Sequence, residues 1–150
     1  MQKITIKLVF CNLERRNPND TWNYTKNSTN VMYVYYNNNP YNRHIDDCVI
    51  RAISKATGES WDYVYDKLSD AAREQGVLLD SVEFVENYLD KRYKRTCHYS
   101  KTLKEFMNEY PKGTYLVTME GHITVVIDGI LYDTADCSSH RIWCVWEIKD

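Results

Sequence analysis

The hydrophobic period of the chain changes along its length. Residues 3–11, KITIKLVFC, alternate apolar and polar with period two, and parts of VMYVYY at 31–36 do the same. Both predict strands, paired with one another. Between 12 and 30 no period holds. Ten of the thirty-one residues from 12 to 42 are Asn, whose side chain bonds nearby backbone in turns, so 12–30 reads as a long loop. From 47 onward the period is helical. Val49, Ala52, Ile53 and Ala56 share one face of a helix over 47–57, with Gly58 as its stop. Ser60 caps a second helix, 61–75, that turns Trp61, Val64, Tyr65, Leu68 and Ala72 inward and ends at Gly76. Asp80 or Ser81 starts a third, with Val82, Val85, Tyr88 and Leu89 inward. Thr102 and Glu105 form a capping box for a short fourth helix terminated by Pro111 and Gly113.

Period two returns at 114. TYLVTM (114–119), HITVVI (122–127), ILYDTA (130–135) and RIWCVWEI (141–148) predict consecutive antiparallel strands. Asp128-Gly129 joins the middle pair as a tight hairpin. Helices first and a strand meander last predict an α+β fold, with an antiparallel sheet packed on a helix layer. The length of 150 residues suits one domain, 1–150, in three parts: a strand and Asn-rich extension (1–43), a helical part (44–112) and the sheet (113–150).

The hairpin sets a register that can be counted. With a two-residue turn, Ile127 faces Ile130, Val126 faces Leu131, Val125 faces Tyr132 and Thr124 faces Asp133. His122 then shares a sheet face with Asp133, diagonally placed, while Asp136 falls on the opposite face unless a bulge intervenes. A carboxylate in reach of an imidazole fixes its tautomer and favours its charged form. Upstream, Cys48 stands at a helix start, where the dipole favours a thiolate. Cys48, His122 and Asp133 together are the nucleophile, base and orienting group of thiol catalysis. Asp46 and Asp47 oppose a thiolate by their charge, and one of them is expected to be the N-cap.

Composition adds exclusions. Lys and Arg number 19 against 21 Asp and Glu, so the whole chain is no polyanion binder, and no nucleic-acid partner is expected. The basic stretch Lys91, Arg92, Lys94, Arg95, Lys101 and Lys104 reads as a solvated face. MQKITIKLVFC is too polar for a signal peptide, and no apolar run is long enough to span a membrane. Five cysteines without framework spacing fit reduced thiols in a cytoplasm. Cys97, His98, Cys137, His140 and Cys144 match no zinc-knuckle spacing, so neither metal nor cofactor is expected. Trp143 and Trp146, at odd spacing, belong on opposite faces, one in the core and one on a wall or interface.

DDCVIRAISKATGESWDYVYDKL, followed by GTYLVTMEGHITVVIDGILYDTAD, resembles the small papain-like cysteine peptidases found in phage and bacterial genomes. The resemblance covers 46–75 and 113–136. It implies a papain-like fold in which Cys48 opens the central helix as nucleophile, His122 is the general base and Asp133 orients it. It also implies an oxyanion donor about six residues before the cysteine, at Asn42 with Asn39 as the fallback, beside the backbone N–H of Cys48. The expected reaction is cleavage of peptide or isopeptide bonds through an acyl-enzyme, with a protein or peptide as substrate, in the cytoplasm of a bacterial cell. The same site becomes an acyl transferase of transglutaminase type if an amine replaces water. The competing expectation is a scaffold in which the chemistry is dispensable, binding and blocking a host protein through its Asn- and Tyr-rich segment at 12–43.

Overall fold

The structure, a computed structural model, describes residues 32–149. The predicted strand at 3–11 and the loop at 12–30 lie outside the described residues. The elements run β1 (Tyr33–Tyr35), α1 (Cys48–Thr57), α2 (Trp61–Gln75), α3 (Val82–Asp90), β2 (Arg95–Cys97), α4 (Leu103–Glu109), β3 (Thr114–Met119), β4 (His122–Ile127), β5 (Ile130–Asp133) and β6 (Ile142–Ile148). The expected α+β class is what is seen. Helix ends fall where the capping chemistry sets them. Ser60 and Ser81 accept from Tyr63 and Phe84 backbone N–H groups, and Thr102 with Glu105 closes a complete capping box.

The six strands form one sheet in the order β1-β5-β4-β3-β6-β2. β1 runs parallel to β5, and the other pairings are antiparallel. The expected meander is therefore corrected at its last strand: β6 crosses over to pair with β3, not with β5. The reason lies in β3, where Tyr115 through Met119 are all buried. A strand covered on both faces belongs in the middle of a sheet, with both backbone edges paired. β6 supplies that second edge, and short β1 closes the outer edge of β5.

Helices cover both faces, where a single helix layer was expected. On one face Val49, Ile50, Ala52 and Ile53 of α1, backed by α2 and α3, pack on Leu116, Ile123, Val125 and Trp146. On the other, Leu103, Phe106 and Met107 of α4 pack on Val117, Val126, Leu131 and Val145. A register shift opposite Val117–Met119 bulges β6. Because of that extra residue, Trp143 and Trp146 both pack on the α1-side core, and the odd spacing does not part them.

One further expectation is corrected. Cys97 and Cys144, directly opposed on β2 and β6, form a disulfide, so the five cysteines are not all reduced thiols and this pair is no zinc set. The basic stretch is the expected solvated face: Lys91, Arg92, Lys94, Arg95 and Lys104 are exposed, and several of its cations have surface partners. Arg95 pairs with Glu86 and Asp90, Arg92 lies on the Tyr88 ring, and Lys101 bonds Glu109. Among the described residues no helix is long and apolar enough to cross a membrane.

Candidate functional site

The hairpin register is the counted one: Ile127, Val126 and Val125 oppose Ile130, Leu131 and Tyr132. Asp128 and Gly129 both take positive φ, the conformation a tight hairpin turn needs. That turn brings His122, first residue of β4, beside Asp133, last residue of β5. His122 Nε2 lies 2.6 Å from Asp133 Oδ2, and both side chains are nearly sealed, at 4% and 2% exposure. His122 Nδ1 is buried without a hydrogen-bond partner among the described residues.

Asp133 is the hub. Its Oδ1 accepts from Arg51 Nη2 at 3.0 Å and from the Thr134 backbone N–H at 2.7 Å. Burial alone would raise its pKa. The hydrogen bond to His122, the charge of that ring and the Arg51 guanidinium outweigh burial and hold the carboxyl at about 2. Arg51 is itself buried and also bonds Asp47 Oδ1, and Trp61 Nε1 donates to Asp47 Oδ2 at 2.8 Å. Asp47 stands at the N-cap position of α1, but its side chain makes no capping bond. Its charge is spent on Arg51, which lessens the expected opposition to a thiolate at Cys48.

Cys48 is the first residue of α1, in the core that α1 shares with the sheet. It is 1% exposed and disulfide-bonded. Residues three apart on a helix are neighbours, so Cys48 and Arg51 adjoin, and Arg51 touches Asp133. The start of α1 and the His122–Asp133 pair are thereby tied into one network. Asn42 is exposed in a left-handed turn whose N–H bonds the Asn39 carbonyl. Asn39 is buried, and its Oδ1 accepts from the Tyr41 and Arg43 N–H groups. Among the described residues neither shows a hydrogen bond to Cys48, His122 or Asp133. Asp136 is exposed and accepts from the Ser138 N–H, so it does not replace Asp133.

A second cysteine reaches the pair. Cys137 Sγ lies 3.9 Å from Asp133 Oδ2, and the ligand-type atoms of His122, Asp133 and Cys137 all fall within 4.8 Å of one another. Burial first, then the charge of Asp133, pushes the Cys137 thiol above its ordinary pKa. Sequence reasoning had missed Arg51 as well as this placement of Cys137. The four-residue spacing of Asp47 and Arg51 was a usable sign for Arg51, since it is the spacing of a helical ion pair. Beside the start of α1, a cleft of about 340 Å³ is walled by Ile45, Asp46, Ile50, Trp61, Tyr65 and Leu78. Comparison with protein-family models, with curated proteins and with solved structures finds no match.

Proposed function

We propose that the chain is a thiol-dependent hydrolase of papain-like type acting on peptide or isopeptide bonds, with Cys48 as nucleophile, His122 as base and Asp133 as its orienting group. The observation that carries this reading is the buried His122–Asp133 pair, tied through Arg51 to the helix that Cys48 opens, with the ring's Nδ1 unpartnered among the described residues. Chemistry requires Cys48 as a thiol, so a thiol reductant must first reduce its disulfide. His122 then takes the Sγ proton as sulfur attacks the carbonyl carbon. The tetrahedral oxyanion draws on the Cys48 backbone N–H, with Asn42 as the side-chain donor the family pattern supplies. His122 returns the proton to the leaving amine as the C–N bond breaks. Water, deprotonated by His122, attacks the thioester and frees the thiol. Attack by an amine instead gives transfer.

Because Cys48 is buried, turnover includes an opening step, and a small activated ester is the suitable probe. After reduction, p-nitrophenyl acetate should release p-nitrophenol in a burst and leave an acetyl group mapped to Cys48. His122→Ala and Asp133→Asn, each checked for native near-UV dichroism, should lose the burst. A burst independent of His122, or acetyl spread over the cysteines, contradicts the reading.

One observation favours a second reading: Cys48 is sealed in the core and held in a disulfide, while Ile45, Tyr65 and Leu78 are exposed around the neighbouring cleft. On that reading the fold is a binding scaffold for another protein, the thiol is dispensable, and Cys48→Ser retains full function.

A further inference from the structure

We infer that His122, Asp133 and Cys137 form a binding site for a divalent cation of the zinc class. The site goes beyond the hydrolase reading, and the binding stands or falls without it.

Three side chains of the types that hold zinc converge from the start of β4, the end of β5 and the loop that follows. All three are buried, which separates them from the scattered carboxylates and imidazoles of an ordinary surface. The distances, none above 4.8 Å, lie on either side of those that one ion sets. Tetrahedral zinc with its usual bond lengths sets ligand atoms about 3.3 to 3.6 Å apart. Asp133 Oδ2 lies 2.6 Å from His122 Nε2 and 3.9 Å from Cys137 Sγ, so shifts of well under a rotamer change open one contact and close the other.

The charges also balance. A divalent ion between the Asp133 carboxylate and a Cys137 thiolate is neutral, and Arg51 keeps its own partner in Asp47. On binding, the thiol proton of Cys137 leaves to solvent, and the imidazole takes the tautomer with its proton on Nδ1, freeing Nε2 for the metal. The nitrogen, sulfur and oxygen donor set selects zinc or cobalt and discriminates against magnesium and calcium, which need oxygen ligands. Three protein ligands leave the fourth position open. An ion there takes Nε2 of the ring that the hydrolase reading uses as its base, so zinc would also silence that chemistry.

The test uses the whole chain in its disulfide-bonded form. After exhaustive chelation and dialysis it is titrated with zinc against a chromophoric chelator, and separately with cobalt. One equivalent of zinc, unaffected by excess magnesium, and a thiolate-to-cobalt charge-transfer absorption are expected. Cys137→Ala should weaken zinc by at least about tenfold and abolish that absorption, while Cys137→Ser, closer in volume, controls for folding and should also lose the absorption. His122→Ala should weaken zinc to a similar extent. No stoichiometric binding, or binding and absorption unchanged in both Cys137 variants, overturns the inference. Ester bursts are measured on portions of the same preparations after reduction and without metal, so loss of the metal site and loss of the hydrolase reading show as separate results.

Discussion

Arg51 decides the electrostatics of this site. It is a buried cation between two buried carboxylates, Asp47 and Asp133, and removing it strands both charges. Arg51→Met should therefore cost about 3 kcal/mol, seen as a lower urea midpoint at unchanged slope. Asp133→Asn leaves the Arg51–Asp47 pair in place and should cost clearly less. An equal or larger loss in Asp133→Asn would contradict this ranking of the two residues. The His122–Asp133 contact was legible because the Asp128-Gly129 turn fixes a count, and strand alternation carries that count as far as Asp133. Beyond Asp133 the chain leaves the strand, alternation stops applying, and the return of Cys137 to the same carboxylate could not be counted. Arg51 was hidden for a different reason: a charged residue on a helix reads as solvent-facing unless its partners are known.

At the scale of elements, sequence reading succeeded where local chemistry sets the ends. Ser60, Ser81 and Thr102 cap α2, α3 and α4 as their side chains allow. Thr102→Ala removes an oxygen that accepts from the Glu105 N–H and should cost about 1 kcal/mol by thermal or urea unfolding. The hairpin turn is equally local. Gly129 has φ of 74°, while the nearest atoms a Cβ there would meet are Pro111 and Met107 backbone atoms at ordinary distances. Gly129→Ala should thus cost about 1 kcal/mol through backbone strain and not through a clash, with the fold retained by NMR. The start of α1 was legible in position but not in chemistry. Asp47 occupies the cap position, yet its carboxylate serves Arg51 and Trp61, because a buried guanidinium has a stronger claim on it than a helix N–H. β2 was not read at all: it is three exposed residues inside a basic stretch, too short for a period.

For the whole molecule, hydrophobic patterning identified the strands but not their neighbours. Alternation says that 142–148 is a strand; only the burial of β3 on both faces says which edge it takes. The same crossing lets Cys97 meet Cys144 and close a loop with a sequence separation of 47. Loop-closure entropy at that length is about 4 kcal/mol as an upper figure, so Cys97→Ala with Cys144→Ala should lower stability by about 2 to 4 kcal/mol in urea under non-reducing conditions. The crossing also leaves β3 and β4 central, with α1 on one face and the His122–Asp133 pair at their end. The proposed reactive site joins the helix to the sheet. Alkylation of the reduced, chelated chain with limiting iodoacetamide at about pH 6, where an ordinary thiol with a pKa of about 8.5 reacts poorly, tests that junction. Peptide mapping of wild type, His122→Ala and Cys48→Ala follows the label. Selective labelling of Cys48 that disappears without His122 is expected; slow labelling with no preference for Cys48, unchanged in His122→Ala, would rule the joined site out.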